Sequence, residues 1–185
     1  MQKLIDYIEE YVKLDPEAIA ELYKLADIDS FSKNQNLLEH GQLCYKIWFL
    51  KSGMVRKYYI HEGKEITIWI YTENDTFTSL LSYSKKIPAN EYLQATEDSE
   101  VISITRQNSE KLSKFPQFVE FSNALMEREF VNNDIRTKEL NQRDAKGKYE
   151  YLQTIAPEII KRAKLGHIAS MLGITNETLS RIRKG

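Results

Sequence analysis

One stretch decides the fold of the C-terminal region, Lys164-Leu-Gly-His-Ile-Ala-Ser-Met-Leu-Gly-Ile-Thr-Asn-Glu-Thr-Leu-Ser-Arg-Ile-Arg-Lys184. Apolar and small side chains recur in its first half at helical spacing and predict one buried helix face: Leu165, Ile168, Ala169 and Leu172. Gly173 ends this helix because glycine accepts the left-handed conformation that a sharp turn needs. Thr175 is a good N-cap for a second helix. The stretch therefore predicts a helix-turn-helix over residues 165–183.

The second of these helices leaves polar and charged side chains on its exposed face. We predict that the DNA-contacting residues are Thr175, Asn176, Glu177, Ser180, Arg181 and Lys184. In the major groove arginine reads guanine, glutamate accepts from cytosine N4, and asparagine reads adenine, so these residue types suit a recognition helix. A helix pair of this kind can also be plain scaffolding, and the residues alone leave that alternative open.

The charge of the chain is unevenly distributed, although its formal net charge is only −1. From Arg143 to Gly185, nine Lys and Arg residues stand against four Asp and Glu residues, so this part carries +5 and the remainder −6. A basic C-terminal end on an acidic body predicts that only this end approaches a polyanion such as double-stranded DNA. An ordinary solvated helical surface would show the same charges.

The rest of the composition excludes several classes of protein. Cys44 is the only cysteine, and His40, His61 and His167 are scattered, so we expect no disulfide, no iron–sulfur cluster and no metal site. No Ser/His/Asp or Cys/His arrangement stands out, so we do not expect an enzyme. No apolar run approaches the roughly 20 residues of a membrane span, and the N-terminus does not resemble a signal peptide. The expected location is the cytoplasm.

The N-terminal part predicts two helices followed by a β-domain. Apolar residues at helical spacing and the Asp15-Pro16 pair predict two short helices within residues 1–29. Short β-prone runs then alternate with turns, at residues 36–39, 46–51, 54–60, 65–71, 91–95 and 100–105. Strands at this spacing favour a small antiparallel barrel or sandwich.

A long helix is predicted to follow, since neither Pro nor Gly interrupts the chain between Pro116 and Arg143. Residues at alternating spacings of three and four form a coiled-coil-like seam, which we interpret as a dimerisation surface: Phe118, Phe121, Leu125, Arg128, Asn132 and Ile135. The same residues would also suit packing against the chain's own β-domain, and this alternative stays open.

Over nearly its whole length the chain resembles the Crp/Fnr family of bacterial transcription regulators. The family's recognition-helix pattern stands here as Thr175-Asn-Glu-Thr-Leu-Ser-Arg181, which implies that Glu177 and Arg181 read bases. The phrases Phe49-Leu-Lys-Ser-Gly-Met-Val-Arg56 and Ala95-Thr-Glu-Asp-Ser-Glu-Val101 resemble a Bacteroidetes-like subfamily.

The resemblance implies an α+β architecture in three parts. Residues 1–107 would form N-terminal helices and a β jelly-roll effector domain, 108–143 a long dimerisation helix, and 144–185 the DNA-binding domain. The protein would act as a homodimeric, sequence-specific regulator on double-stranded DNA, with RNA polymerase as a further partner.

The effector site departs from the family pattern. No arginine follows Pro88 to neutralise a cyclic phosphate, and Thr78-Ser79 replaces the Gly-Glu that holds the ribose, so we do not expect cyclic AMP binding. An unknown small-molecule effector remains compatible with the aromatic side chains of the β-domain, which would also suit its core or its surface strands: Trp48, Tyr58, Trp69, Tyr71, Tyr83 and Tyr92. The alternative function is a ligand-binding or protein-interaction module without specific DNA binding.

Overall fold

The computed structural model describes residues 1–184, so Gly185, the last residue of the predicted DNA-binding domain, lies outside the described residues. Its helices are α1 (Gln2–Glu9), α2 (Pro16–Leu25), α3 (Leu80–Lys85), α4 (Arg106–Leu112), α5 (Pro116–Gln142), α6 (Ala145–Ile155), α7 (Pro157–Arg162), α8 (Leu165–Leu172) and α9 (Asn176–Lys184). Its strands are β1 (Ala26–Phe31), β2 (Asn36–Leu38), β3 (Lys46–Ser52), β4 (Val55–His61), β5 (Lys64–Tyr71), β6 (Thr76–Phe77), β7 (Tyr92–Ala95) and β8 (Ser99–Thr105).

The two predicted N-terminal helices are confirmed. Pro16 occupies the first turn of α2, and the Asp15 carboxylate accepts a hydrogen bond from the Ala18 amide at 2.7 Å. Both features fit the first turn of a helix, where proline loses no intrahelical bond and an acidic side chain satisfies a free amide.

The predicted antiparallel β-domain is also confirmed, and it consists of two four-stranded sheets. One sheet has the order β1-β8-β3-β6 and the other the order β2-β7-β4-β5. All six β-prone runs form strands, while β1 and the two-residue β6 were not predicted. The exposed, acid-containing sequence of β1 carries little hydrophobic signal, and β6 is too short to show any periodicity.

Two turns between strands adopt a positive φ at glycine, which has no Cβ to forbid it. Gly53, between β3 and β4, has φ of +97°, and a Cβ there would collide with Ser99 and the Asp98 carbonyl. Glu62 and Gly63 both have positive φ, +49° and +74°, as a tight hairpin between right-twisted strands demands.

The helical region after β8 is divided. Helix α4 ends at Leu112, and α5 begins at Pro116 after the extended Phe115. A residue that precedes proline is driven out of the helical conformation, which explains the break. The stretch 108–143 therefore consists of the larger part of the short helix α4, a break at residues 113–115, and the 27-residue helix α5.

Three apolar cores hold these elements together. The first lies between the β1-β8-β3-β6 sheet and helices α1, α2, α4 and α5, and includes Leu4, Ile8, Leu22, Phe49, Ile102, Leu112 and Phe118. The second lies between the sheets and includes Leu38, Trp48, Leu50, Val55, Phe77, Leu93 and Val101. The third contains residues of the four C-terminal helices α6, α7, α8 and α9 together with Met54 and Ile70 of the β-domain. Its helical members include Tyr149, Leu152, Ile159, Ile168, Leu172 and Leu179.

Across residues 1–184, no helix combines the length and the apolarity that crossing a bilayer needs.

Candidate nucleic-acid interface

The C-terminal helices α8 and α9 meet across the predicted turn. Gly173 ends α8 in the left-handed conformation, with φ of +67° and ψ of +34°. The Ile174 amide then donates to the Ala169 carbonyl at 3.0 Å, which closes the helix end. Ile168 and Leu179 are 1% and 0% exposed, so the two helices share a fully buried contact.

Thr175 starts α9 as the sequence predicts. Its Oγ1 accepts a hydrogen bond from the Thr178 amide at 3.1 Å and contacts the Thr178 hydroxyl at 3.0 Å. This hydroxyl therefore satisfies one of the free amides at the helix start. Its capping role fixes where the following residues project.

The structure brings the six predicted DNA-contacting residues onto one side of the helix pair. Thr175, Asn176, Glu177, Arg181 and Lys184 are exposed, and Ser180 is half-buried. The last turn of α9 is basic, with Arg181, Arg183 and Lys184, and its first turn holds Glu177. This arrangement complements the helix dipole and leaves hydrogen-bonding side chains accessible to solvent.

Helix α7 attaches the C-terminal helices to the β-domain through Arg162. Its guanidinium donates to the Glu73 carboxylate at 2.7 and 2.9 Å, to the Glu97 carboxylate, and to the Gly53 carbonyl at 3.0 Å. These hydrogen bonds from Arg162 lower the pKa of Glu73 to about 2. We call Arg162, Glu73 and Glu97 the Arg162 clamp.

Helix α8 makes a second attachment, to strand β5. The Thr67 amide donates to the Ser170 hydroxyl oxygen at 2.9 Å, and the Ser170 hydroxyl reaches the Glu65 carbonyl at 3.3 Å. His167 is half-buried at the same boundary. Burial, with the charges of Arg56 and Lys164, lowers the pKa of His167 to about 4.

Sequence reasoning did not find these attachments. The clamp joins residues 65 and 89 positions apart, and no local pattern marks such pairs. Met54 and Ile70 were assigned only to strands, yet both are completely buried in the core of the C-terminal helices. Met54 lies just before strand β4, in a run of four buried residues, so alternation within the strands gave no signal that it faces the C-terminal helices.

The predicted dimerisation residues lie in two environments. Phe118 is 6% exposed, and Phe121 and Leu125 pack on the same core, which contains α1. The Arg128 guanidinium donates to the Tyr7 hydroxyl and lies 5.3 Å from the centre of the Tyr11 ring. These four residues thus pack or hydrogen-bond within their own chain, against helix α1 and the β1-β8-β3-β6 sheet. Asn132 and Ile135 are exposed.

Another row of α5 faces outward. Its members follow the same alternating spacing, displaced along the helix, and all are exposed: Val119, Asn123, Met126, Phe130, Asn133 and Thr137. We call them the α5 stripe. Met126 and Phe130 are 67% and 78% exposed, which is unusual for large apolar side chains.

The β-domain interior is filled where a cyclic nucleotide would be expected. Ala89 follows Pro88 and is 3% exposed in the core between the sheets. Lys57 lies opposite the core residue Leu93 of the neighbouring strand. Its Nζ forms an ion pair with the Glu91 carboxylate at 2.9 Å. Both side chains of this ion pair are largely buried.

Most of the aromatic side chains named from the sequence belong to packed stacks. The Trp48 and Tyr71 rings each stack on Phe77, and the Tyr58 ring stacks on Tyr92 at 4.9 Å. Trp69 lies against the guanidinium of Arg136 at 3.9 Å. In the described part of the chain, no group of three or more His, Cys, Asp or Glu side chains could hold a metal ion.

The part of the chain that contains the β-domain is similar to a known family. Residues 28–114 match the family described as cyclic nucleotide-binding domain. No curated protein sequence is significantly similar to the chain.

Solved structures share the fold over most of the chain. A protein from Eubacterium rectale assigned to the crp/fnr family of transcriptional regulators is similar with a TM-score of 0.71 and 16% identity, over 97% of this chain and 86% of that chain. FixK2 from Bradyrhizobium japonicum gives 0.69 and 20% identity over 86% and 83%, and the Thermus thermophilus catabolite activator protein 0.58 and 19% over 94% and 84%. At these identities the similarity shows the fold.

Proposed function

We propose that this chain is a sequence-specific DNA-binding transcription regulator of the Crp/Fnr family that acts as a homodimer. The observation that carries the proposal is the exposed polar face of α9, held by the fully buried Leu179 and by the Thr175 cap. The fold supports it, because the solved structures that share it include transcriptional regulators. RNA polymerase is then the protein partner that we expect at a promoter.

Base reading is assigned to α9. Arg181 and Glu177 lie one helical turn apart on the exposed side, a spacing at which both reach neighbouring base pairs of one major groove. Asn176 and Ser180 flank them, and Lys184 at the helix end suits a phosphate contact. In a homodimer two such helices would enter successive major grooves, roughly 34 Å apart, on a pseudo-palindromic site.

The α5 stripe is the proposed dimer contact. Large apolar side chains at coiled-coil spacing are stabilised when two helices bury them together. Asn123 and Asn133 within the stripe would fix the register of the pair, which is a known role of buried asparagine in such seams. The stripe lies on the side of α5 roughly opposite the predicted seam, four of whose residues make contacts within their own chain.

Cyclic AMP is not the proposed effector. Ala89 carries no charge to neutralise a cyclic phosphate, and Lys57 is already paired with Glu91. A phosphate that bound Lys57 would separate the buried Lys57–Glu91 ion pair and leave the Glu91 carboxylate unpaired, at a cost of several kcal/mol.

The first step of the test is selection of duplexes from a random pool by the full-length protein. A regulator of this kind enriches a two-fold symmetric motif with half-sites about one helical turn apart. The protein-interaction alternative predicts weak binding without enrichment. Failure to enrich any motif would overturn the proposal.

The second step measures fluorescence anisotropy on the selected duplex and on a scrambled one at near-physiological salt. The selected duplex should bind about 10³-fold more tightly. Arg181→Ala should cost about 1–3 kcal/mol on the selected duplex and relax its sequence preference. Lys184→Ala is the matched control and should weaken binding to both duplexes alike. Equal losses for Arg181→Ala on the two duplexes would contradict base reading.

A further inference from the structure

Helix α3 buries a small polar side chain and exposes large apolar ones. Ser82 is 1% exposed, whereas Leu80 and Leu81 are 60% and 51% exposed. The Ser82 hydroxyl holds the helix in place by accepting a hydrogen bond from the Cys44 amide at 2.9 Å and donating one to the Ile87 carbonyl at 2.6 Å. Packing within the chain therefore does not account for two adjacent leucines on this six-residue helix.

Other exposed apolar side chains adjoin these leucines. The segment before β3 is paired with the segment after α3 through a bridge between Leu43 and Pro88. The two segments and α3 contribute to one surface, which we call the α3 patch: Leu43, Tyr45, Leu80, Leu81 and Ile87. Each of its side chains is at least 43% exposed. A group of exposed apolar side chains is typical of a surface that contacts a partner.

Positive charge borders the α3 patch. Lys85 and Lys86 are exposed at the end of α3. Arg106 begins α4, and its amide donates to the Tyr45 carbonyl at 2.7 Å. Within residues 1–184, none of these three cations belongs to an ion pair. Glu110 follows one turn later on α4, so the border keeps an excess of positive charge.

Arg106 is held in a fixed position beside α3. Its guanidinium lies over the Tyr83 ring, 4.3 Å from the ring centre. The side chain is half-buried, and its Nη2 has no hydrogen-bond partner among the described residues. A half-buried cation attracts a carboxylate more strongly than a fully solvated one, because water and salt screen it less.

We propose that the α3 patch is a docking site for a protein segment that presents large apolar side chains flanked by carboxylates. The patch buries the apolar side chains of the segment. Lys85, Lys86 and Arg106 attract its carboxylates and orient it. The site goes beyond the proposed DNA binding, because the α3 patch contains no residue of α9 or of the α5 stripe.

Two other anionic partners fit this surface less well. DNA offers phosphates but few apolar groups, so the exposed leucines would gain little from it. An anionic membrane favours a longer amphipathic helix with a broad basic face. Helix α3 has six residues, and Arg106 is half-buried beside it. These features favour a protein segment.

The test begins with selection from a random display library of dodecapeptides on the full-length protein. Peptides that also bind the Leu81→Ser variant are removed by counter-selection. The retained peptides should be enriched in large apolar residues together with Asp and Glu. Calorimetry gives the affinity of the most enriched peptide. Changing its Asp and Glu residues to Asn and Gln should weaken binding about tenfold.

Variants that play no part in the selection then locate the site. Leu43→Ser should weaken binding of the enriched peptide about tenfold. Lys85→Gln and Arg106→Gln should each weaken it about threefold. Ile60→Ser and Lys64→Gln are the matched controls, since both residues are exposed on the β4–β5 hairpin. They should change the affinity by less than about twofold.

Several outcomes would each overturn the proposal: no peptide survives the counter-selection, the surviving peptides lack acidic residues, or Leu43→Ser weakens binding no more than Ile60→Ser. Binding of phosphatidylglycerol vesicles in place of the peptides would also overturn it. Leu81→Ser should bind the selected duplex as tightly as the parent protein. A failure of DNA recognition would therefore leave the peptide measurements valid.

Discussion

Arg162 shows how one side chain can connect two parts of a chain. Its guanidinium holds two carboxylates and a backbone carbonyl of the β-domain at once. Removing it would leave Glu73 and Glu97 close together without the cation that pairs them. Both the lost hydrogen bonds and the repulsion destabilise the folded state.

We therefore expect Arg162→Ala to lower the free energy of unfolding by about 2 kcal/mol. The measurement is chemical denaturation at neutral pH. Lys161→Ala is the matched control, since Lys161 neighbours Arg162 on α7 and forms only an exposed pair with Glu158. The control should change stability by less than about 0.5 kcal/mol. A loss for Arg162→Ala no larger than the control would show that the clamp does not stabilise the fold.

At the scale of single residues, the sequence predicts only those roles that depend on neighbouring residues in the chain. Gly173 and Thr175 were predictable because a helix end and a helix cap depend on neighbouring residues. Arg162 was visible only as part of a basic region. Its partners are set by the way the chain folds back, and one sequence carries no marker of that pairing.

Helix α5 shows, at the scale of an element, that a sequence pattern predicts a helix but not which of its faces packs inward. Its length was predictable, because no breaker follows Pro116 before residue 143. The face it turns inward was not, because both the predicted seam and the α5 stripe have coiled-coil spacing. The N-terminal helices decide between them by covering Phe118, Phe121 and Leu125.

The α5 stripe leads to a prediction about oligomeric state. Phe130→Glu should shift the protein from dimer to monomer at micromolar concentration, because two carboxylates would be brought together in an apolar seam. Sedimentation velocity measures the shift. Val131→Glu is the matched control, since Val131 is also exposed but lies about 100° around the helix. A dimer that survives Phe130→Glu and dissociates with Val131→Glu would place the contact on another face.

At the scale of the whole molecule, the order of helices and strands followed from the sequence, but the docking of the C-terminal helices on β5 did not. That docking buries Met54 and Ile70 and half-buries His167. Residues about 100 positions apart thus share one environment, and we expect protonation of His167 at this boundary to affect the stability of the whole fold.

The pH dependence of stability should reveal this boundary. The pKa of His167 is about 4 in the fold and below its ordinary value of 6.5, so the folded state favours the neutral imidazole. Its contribution is complete above pH 6.5 and is lost as the pH falls from 6.5 to 4. His167→Gln removes this loss, so stability measured by urea denaturation should fall less between pH 6.5 and 4 than in the parent protein. Parallel curves for the two proteins would contradict the assignment.

The Arg162 clamp should act in a lower window. The Glu73 pKa, lowered from 4.5 to about 2, gives a contribution that is complete above pH 4.5 and lost as the pH falls towards 2. In Arg162→Ala this additional loss should be absent, which urea denaturation between pH 4.5 and 2 can measure.

The burial of Met54 and Ile70 among the C-terminal helices also limits how this protein can be recombined with others. Grafting residues 144–184 onto a foreign sensor would leave both side chains behind and expose the face that they cover. Residues 144–184 are therefore not a self-contained folding unit. A folded chimera would have to include the β4–β5 hairpin together with the C-terminal helices. The boundary for such an exchange therefore lies within the β-domain and not between α5 and α6.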